Sequence, residues 1–178
     1  MDLRYTCGKR MWLLVVAIFL ASMMMLTAFP AFSSQGETQW GPRMKELAPD
    51  FVLKDIDGKE VRLADYRGKV VLLAFSTTWC PHCKSMPPYL NQLFGTYGDR
   101  GLEMFNIDIQ EPLSKVRAFA TKYDIKYGVL LDEKAEAARA YNVMGVPSLI
   151  LVDKDGTIIC KQCRSVDTLL EKLLPKTQ

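Results

Sequence analysis

The sequence predicts an α/β domain with a central mixed β-sheet flanked by helices. Three observations support this: an early pair of alternating apolar and polar runs, short apolar runs separated by amphipathic segments, and a final pair of strands joined by a tight turn. Strand–helix–strand units give parallel pairs and hairpins give antiparallel pairs, so the sheet should be mixed. The predicted order is hairpin, β, α, β, α, β, β, α.

The first half of this domain begins with a β-hairpin. Apolar and polar residues alternate on both sides of Asp57–Gly58, a dipeptide that favours a tight turn. Residues 69–75 then form a continuous apolar run, which is typical of a strand buried on both faces. Pro81 fits the first turn of the helix that follows, because a missing N–H costs nothing there. This helix is predicted to run to Tyr97.

The second half alternates strands and helices and ends with a second hairpin. Asp155–Gly156 provides the turn between its two strands. The predicted elements are a strand at 102–109, helices at 113–123 and 133–141, strands at 148–152 and 157–161, and a closing amphipathic helix at 167–174.

The N-terminal segment, residues 1–33, differs in character from the rest of the chain. Residues 11–32 carry no charge and follow the three cations Arg4, Lys9 and Arg10. A run of about 20 apolar residues can span a bilayer as a helix, and a cleaved signal peptide also fits. No cysteine follows the run directly, so lipoprotein attachment is not expected. Both interpretations leave the positive end in the cytoplasm and the body outside.

Residues 34–45 are polar and are predicted to be a linker, and residues 46–178 are predicted to form the domain. The formal net charge of the chain is +3, from 23 Lys and Arg against 20 Asp and Glu. Since three of the cations precede the apolar run, the body is close to neutral. No basic face is implied, so nucleic acid is not an expected partner.

The chain has five cysteines: Cys7, Cys80, Cys83, Cys160 and Cys163. Four of them form two C-x-x-C pairs, Cys80 with Cys83 and Cys160 with Cys163. Cys7 precedes the apolar run and is expected to be a bystander on the cytoplasmic side. An exported compartment permits disulfides in the other four.

Cys80 stands where a buried strand gives way to a helix. Unpaired N–H groups and the macrodipole at a helix N-terminus favour an anion, so this position activates Cys80 as a thiolate nucleophile. Cys83 lies one turn later and can attack a mixed disulfide to release the product. His82, the only histidine, adds a positive charge when protonated. These features predict thiol–disulfide exchange.

A second feature lies at Gly145–Val146–Pro147, just before the apolar strand at 148–152. Proline is tolerated at the entry to a strand. A cis bond at Val146–Pro147 would place a backbone edge against the active-site sulfurs, whereas a trans bond would make it an ordinary turn.

Together these residues resemble the thioredoxin superfamily, in its TlpA/ResA-like branch of anchored, exported oxidoreductases. The resemblance covers roughly residues 46–175. The matching motifs are Ala48-Pro49-Asp50-Phe51, the run GKVVLLAFSTTWCPHCK at 68–84 with Trp79 before the first cysteine, Val146-Pro147-Ser148 and Asp153-Lys154-Asp155-Gly156.

The resemblance implies a cis Pro147, Cys80 as attacking thiol and Cys83 as resolving thiol. It implies no cofactor, and it implies substrates among the cysteines of exported proteins, such as apocytochromes c. A membrane redox partner would reset the pair. The Cys-Pro-His-Cys sequence is similar to that of the oxidase DsbA, whereas the branch also contains reductases, so the direction of electron flow stays open.

Two residues depart from the family pattern. Thioredoxins commonly carry a buried acid six residues before the first cysteine, where this chain has Ala74. Some reductases of the branch carry a Glu three residues after the second cysteine, where this chain has Met86. Without these carboxylates Cys83 has no obvious proton acceptor, which leaves water or Lys84 in that role. Pro88 matches a helix-kinking proline of the superfamily.

Cys160 and Cys163 form a candidate second redox pair. The final strand should return toward Pro147, which places Cys163 on the side of Cys80. Positions three apart on a strand face opposite sides, so a disulfide requires a bend at Lys161–Gln162. A structural disulfide or two unrelated thiols are the alternatives. A four-thiolate zinc site fits the spacing poorly, and no metal site is predicted.

A peroxiredoxin-like thiol peroxidase is the alternative function. Peroxiredoxins share the Ala-Pro-Asp-Phe opening and place a cysteine at the same strand end. They usually carry a proline seven residues and a threonine three residues before it, where this chain has Leu73 and Thr77. A third interpretation is a binding module that has the fold without the enzymatic activity. The intact cysteine pair argues against it.

Overall fold

The computed structural model describes residues 46–163 and 165–175. The predicted signal peptide or anchor and the whole of the predicted linker lie outside these residues. Within the described residues there is no helix that is long and apolar enough to cross a membrane. The strands are β1 Val52–Asp55, β2 Glu60–Arg62, β3 Val70–Ser76, β4 Leu102–Ile109, β5 Gly128–Asp132, β6 Ser148–Val152 and β7 Ile158–Lys161, and the helices are α1 Pro81–Ser85, α2 Pro87–Tyr97, α3 Leu113–Lys122, α4 Glu136–Ala140 and α5 Val166–Leu173.

The seven strands form one mixed sheet in the order β2-β1-β5-β4-β3-β6-β7. Strands β3, β4 and β5 are parallel, and β6 and β7 extend the sheet as an antiparallel hairpin. At the other edge β1 pairs antiparallel with both β2 and β5. The predicted α/β class, the mixed sheet and both hairpins are confirmed. The centre of the sheet is β3, whose seven residues are all buried.

The predicted element order lacked one strand. Gly128–Asp132 forms β5, which lies between β1 and β4 inside the sheet. Its run of apolar residues is short and is followed directly by charged residues, so the local pattern resembles a loop. Its place in the sheet comes from pairing with β4, where Gly128 lies opposite Phe105.

The helix predicted from Pro81 to Tyr97 is interrupted at Met86. Pro87 and Pro88 lack the N–H groups that would continue the hydrogen-bond ladder, so a break is expected here. Met86 has helical dihedral angles and its N–H still donates to the Cys83 carbonyl, at 3.3 Å. The result is a short helix that carries the first cysteine pair and a longer one that packs on the sheet. The helix predicted at 133–141 is also shorter, at Glu136–Ala140.

Besides a small cluster of Val116, Ala120, Val129 and Leu131, two larger apolar clusters cover the sheet. One contains Phe75, Ile107 and Tyr141, and α4 contributes Ala137 and Ala138 to it. The other joins alternate residues of β3 and β4 to the helices α2 and α5, with Met86 packed at its border. Burial of these apolar side chains is the main stabilising contribution to the fold. The second cluster also positions the site, because α2 is part of it and Met86, directly after α1, packs against it.

Candidate active site

Cys80 occupies the cap position of α1, directly after the loop that follows β3. Its backbone is extended, with φ −71° and ψ 124°, and Pro81 takes the first helical turn. The Lys84 N–H donates to the Cys80 carbonyl at 3.1 Å, which closes the first helical turn. The sequence prediction that Cys80 begins a helix is therefore confirmed. Cys80 and Cys83 are both buried and both free thiols in the structure.

The Cys80 thiol is placed to ionise readily. The Cys83 backbone N–H, directed at the Cys80 sulfur, is the largest influence and lowers the pKa of Cys80. The Cys83 thiol, the His82 backbone N–H and the charge of Lys84 lower this pKa further, against an opposing effect of burial. A thiolate is the nucleophile in disulfide exchange. Cys80 is therefore the better nucleophile of the pair.

The Cys83 thiol behaves in the opposite way. Burial raises the pKa of Cys83 to about 12, and the nearby Cys80 and Asp108 add to the rise while the Thr77 backbone opposes it. Cys83 is only 2% exposed. At neutral pH the Cys83 thiol is therefore protonated.

The loop before β6 completes the surroundings of the first sulfur. The Val146–Pro147 peptide bond is cis, as the resemblance implied, and the Cys80 thiol lies 3.7 Å from the Val146 carbonyl oxygen. Two large apolar side chains flank these elements in sequence and are exposed: Trp79 at 66% and Met144 at 82%. The residue directly before Cys80 is therefore exposed, whereas Cys80 itself is only 6% exposed.

A buried polar group lies beneath the cysteines, and the sequence analysis missed it. The Ser76 hydroxyl donates to Asn106 Oδ1 at 2.9 Å, and Asn106 Nδ2 donates to Asp108 Oδ2 at 2.6 Å. Asp108 is 0% exposed. Burial, and then repulsion from Glu111, raise the pKa of Asp108 to about 7. A buried acid that titrates near neutral pH is unusual and is a candidate for proton transfer.

Glu111 joins this group to the loop that carries Cys80. Its carboxylate accepts hydrogen bonds from the Thr78 N–H and, at 2.6 Å, from the Thr78 hydroxyl. The sequence contained a signal for Asp108, although not for its place beside the cysteines. Asn106 and Asp108 are two residues apart in a mostly apolar strand, so both point to one face of a buried sheet. Polar residues in that position need a partner or a function.

Cys160 and Cys163 are joined by a disulfide, with their Cα atoms 5.6 Å apart. The bend that such a bond requires lies at Gln162, which has a positive φ of 54°. The Cys163 N–H donates to the Leu149 carbonyl at 3.0 Å, two residues beyond Pro147. Both cysteines are partly exposed and pack against the cluster that contains Met86. Cys163 thus lies near the Pro147 end of β6, whereas Cys160 is opposite Leu151, toward the other end of this strand.

The remaining predicted site residues surround the first pair. Pro81 and His82 are exposed on α1, and the His82 carbonyl accepts a hydrogen bond from the Ser85 hydroxyl at 2.8 Å. Among residues 46–163 and 165–175, no group of three or more His, Cys, Asp or Glu side chains is arranged to hold a metal ion.

The sheet order and the position of the first cysteine pair define the class of protein. This is a thioredoxin-like thiol–disulfide oxidoreductase. The chain belongs to the AhpC/TSA family, whose sequence model matches residues 44–161.

Named relatives agree with this class. The chain is 32% identical over 152 residues to the thiol-disulfide oxidoreductase ResA of Bacillus cereus, which covers 85% of this chain and 86% of the relative. It is 40% identical over 111 residues to ResA of Geobacillus thermodenitrificans, covering 62% and 64% of the two chains. Among solved structures, the thioredoxin domain of a thiol-disulfide oxidoreductase from Bacteroides vulgatus matches with a TM-score of 0.68 at 26% identity, covering 74% of this chain and 97% of that one.

Proposed function

We propose that the protein exchanges disulfides with exported proteins through Cys80 and Cys83, in the branch that the sequence resembles. The observation that carries the proposal is the opposite shift of the two thiols, with the pKa of Cys80 lowered and that of Cys83 raised to about 12. This asymmetry separates an attacking sulfur from a resolving sulfur within one helical turn.

The exchange proceeds in two steps. In the reductive direction the Cys80 thiolate attacks a substrate disulfide, forming a mixed disulfide and releasing one substrate thiolate. Cys83 then attacks the Cys80 sulfur, the Cys80–substrate bond breaks, and the second substrate thiolate leaves. The substrate gains two electrons and the enzyme pair becomes a disulfide. Oxidation of a substrate dithiol is the reverse of these steps.

The Val146–Pro147 backbone and the Trp79 side chain would hold the substrate. The Val146 carbonyl lies 3.7 Å from the Cys80 sulfur, so an extended substrate segment beside it would place its own sulfur next to Cys80. The exposed indole of Trp79 offers apolar contact area to that segment. Pro81 supports the arrangement by starting α1, and His82 places a charge near Cys80 when protonated.

The location and the partners are further parts of the proposal. The uncharged run at 11–32 with preceding cations supports a body outside the cytoplasm, held at the membrane or released after cleavage. Cysteine-containing exported proteins, among them apocytochromes c, are the substrates that the resemblance suggests. A membrane protein with a redox-active cysteine pair would reset Cys80 and Cys83.

Trapping of a mixed disulfide tests the function. In full-length protein, Cys83→Ser leaves the attacking thiol but removes the resolving one, so a model peptide that contains a disulfide should stay attached to Cys80 after the thiolate has attacked it. Cys80→Ser is the matched control and should capture no peptide. A Cys83→Ser protein that gives no adduct on Cys80 would contradict the proposal.

The reduction potential of the pair tests the direction of electron flow. Stabilising the Cys80 thiolate favours the dithiol form and makes the disulfide more oxidising. A potential near about −120 mV, the value of DsbA, would exclude a reductase, and one near about −270 mV, the value of thioredoxin, would exclude an oxidase. The measurement is an equilibrium titration against glutathione in a Cys7→Ser variant.

We also propose Cys160 and Cys163 as a second redox pair. Within their disulfide, Cys163 lies beside Leu149, two residues beyond Pro147, and the partial exposure of both cysteines supports access by a thiolate. Electrons from the Cys80–Cys83 dithiol would reduce this disulfide while the first pair becomes oxidised. A Cys83→Ser protein should then form a mixed disulfide between Cys80 and Cys160 or Cys163. Mass spectrometry that finds no such linkage would exclude the relay.

A thiol peroxidase is the second candidate function. Thr77 lies three residues before Cys80, and its buried hydroxyl has no hydrogen-bond partner among the described residues. Leu73, in place of the usual proline, argues against it. Consumption of hydrogen peroxide by the reduced protein, compared with Cys80→Ser, separates the two functions, because an exchange enzyme should consume it no faster than that variant.

A further inference from the structure

The resolving step requires a proton acceptor that the known positions do not supply. Cys83 must lose its proton before it attacks, yet burial keeps it protonated at neutral pH. The two positions where relatives carry a carboxylate hold Ala74 and Met86. Both border a small cavity beside the Cys83 sulfur, so their apolar side chains leave this part of the cavity without an acid.

The register of the sheet provides a carboxylate from the neighbouring strand. In the parallel pairing of β3 with β4, Ala74 lies opposite Asn106 and Ser76 lies opposite Asp108. Alternate residues of a strand share a face, so Asn106 and Asp108 both face the side of α1 and α2. Ser76 and Asn106 also line the cavity next to Cys83. Asp108 therefore lies on the strand next to Ala74, two residues beyond Asn106, which is opposite Ala74. Ala74 itself has no carboxylate.

Asp108 has one oxygen available for a proton. Its Oδ2 atom accepts the Asn106 amide, whereas its buried Oδ1 atom receives no N–H or O–H donor from any residue that the structure describes. The Asp108 charge acts on two groups of the same region, the Cys83 thiol and the Tyr127 hydroxyl. Tyr127 and Cys83 both line the cavity. A buried carboxylate oxygen without a donor is costly unless it is protonated or has a function.

We propose that Asp108 receives the Cys83 proton when Cys83 resolves the mixed disulfide, in place of the carboxylates that relatives carry at the positions of Ala74 or Met86. This assignment deepens the proposed function and rests on it. The geometry that carries it is the buried Oδ1 atom of Asp108, which has no donor among the described residues. Asp108 lies opposite Ser76 in the sheet, and Ser76 lines the cavity together with Cys83.

The step is balanced in atoms and electrons. The Cys83 sulfur bonds to the Cys80 sulfur, the bond from Cys80 to the substrate breaks, and the substrate leaves as a thiolate that is protonated by water. The Cys83 proton passes to Asp108. In the reverse direction, when the Cys80–Cys83 disulfide is reduced, Asp108 returns the proton to the Cys83 thiolate.

The groups that face Asp108 set the pH at which it works. They are Glu111 from the loop after β4, Cys83 from α1 and Tyr127 from the segment before β5. Glu111 raises the pKa of Asp108 by repulsion and by accepting a hydrogen bond that only protonated Asp108 can donate. Because the pKa of Asp108 is about 7, the acid can both accept and return a proton near neutral pH.

Stopped-flow reaction with dithiodipyridine separates the two sulfurs in the full-length Cys7→Ser protein. Attack by Cys80 releases a first thiopyridone, and attack by Cys83 on the mixed disulfide releases a second. With Asp108 intact, the rate of the second release should rise with pH through about 7 and then level off. In Asp108→Asn the second release should be slowed about 100-fold at pH 7.5, with the first nearly unchanged. In this variant the increase in the rate of the second release should move to the alkaline range, where Cys83 ionises without a neighbouring proton acceptor.

Two further variants separate proton transfer from a structural role. Ala74→Asp, added to Asp108→Asn, should restore much of the second release, because it places a carboxylate on the neighbouring strand of the same face. Glu111→Gln removes the repulsion on Asp108 and should shift the inflection to lower pH. Asp132→Asn is the control, since Asp132 is equally buried but caps α4 through the Ala137 and Ala138 N–H groups.

The outcomes distinguish this assignment from the function on which it rests. A missing first release contradicts the role of Cys80 itself. A normal first release followed by a second release that neither Asp108→Asn nor Glu111→Gln changes in rate or pH dependence overturns the role of Asp108 alone. If Asp108→Asn does not fold, the inflection in Glu111→Gln decides: a shift to lower pH supports the assignment, and no shift overturns it.

Discussion

Cys80 is the cap residue of the five-residue helix α1 and Cys83 lies within that helix, one turn later, and their surroundings shift their pKa values in opposite directions. The Cys83 N–H stabilises a thiolate at Cys80, whereas burial holds the proton on Cys83. The backbone of the second cysteine therefore activates the first, while its own sulfur stays inactive until a mixed disulfide forms. The order of attack follows from this geometry.

Selective alkylation should reveal this order. Reduced full-length protein treated with iodoacetamide at rising pH should be modified first at Cys80, with a midpoint below the ordinary cysteine value of about 8.5. Cys83 should stay unmodified across the neutral range, since burial raises its pKa to about 12. Peptide mass spectrometry measures both sites in one experiment. Equal modification of the two cysteines at pH 7 would contradict the asymmetry.

Lys84 should contribute to the reactivity of Cys80. Its positive charge lowers the pKa of Cys80, so Lys84→Gln should move the alkylation midpoint of Cys80 to higher pH. The effect should weaken in high salt, because Lys84 is exposed. Lys115→Gln, an exposed lysine on α3, is the matched control and should leave the midpoint unchanged.

The folding stability of the reduced protein should fall as pH rises from about 4 to 7, through Asp108. The pKa of Asp108 is about 7 in the folded protein, against about 3.9 in an unfolded chain. The folded state thus binds the extra proton in this window, and stability decreases with pH. This decline in the free energy of unfolding should be on the order of 2–4 kcal/mol, and it should be absent in Asp108→Asn. Urea unfolding at pH 4 and pH 8 measures it.

An exposed aspartate provides the control for this pH dependence. Asp99→Asn should keep the decline, because Asp99 lies on the surface. The lowered pKa of Cys80 acts in the opposite sense, since its stabilisation is lost as pH falls through the folded value. Both variants keep Cys80, so their difference isolates Asp108. An equal decline in Asp108→Asn and in the unaltered protein would show that Asp108 titrates normally.

Trp79 should contribute to protein substrates and not to the chemistry. Trp79→Ala should lower kcat/KM for an unfolded cysteine-containing protein about 10-fold, through lost apolar contact, and leave the reaction with dithiothreitol unchanged. Leu47→Ala is the control, because Leu47 is also exposed, at 64%, but pairs with Thr157 at the opposite end of the sheet. A similar loss for both variants, or for both substrates, would exclude a docking role for Trp79.

Local patterns in the sequence predicted most of the fold. The strand at Ser148–Val152 has the predicted bounds, and the Asp57–Gly58 turn places Gly58 at a φ of 87°. Cys80 was found because its position at a strand-to-helix junction and its spacing from Cys83 are local features. These predictions depended on neighbouring residues only.

The missed features depend on contacts between distant segments. Strand β5 has a short apolar run, and only its pairing with β4 and β1 identifies it. The place of Asp108 beneath Cys83 follows from the register of β3 on β4, which no spacing in the sequence reports. Ala74 and Met86 are recognised from their spacing to the cysteines, whereas Asp108 belongs to a different strand, β4.

Gly128, in the strand that the sequence pattern did not reveal, should be sensitive to substitution. A Cβ atom at this position would lie 2.5 Å from Cδ1 and 2.8 Å from Cε1 of Phe105. That ring is buried and packs edge-on against Tyr66 with centroids 4.9 Å apart, so it has little room to move. Gly128→Ala should therefore lower the free energy of unfolding by about 1–3 kcal/mol.

Gly95 provides the matched substitution for this test. It lies within α2, is exposed, and a Cβ atom there would meet no atom within 4 Å. Gly95→Ala should raise the free energy of unfolding by about 0.5–1 kcal/mol, because alanine favours a helix interior over glycine. Urea unfolding of both variants at one pH gives the comparison. If Gly128→Ala were as stable as Gly95→Ala, this result would contradict the close packing of Gly128 in β5 against Phe105.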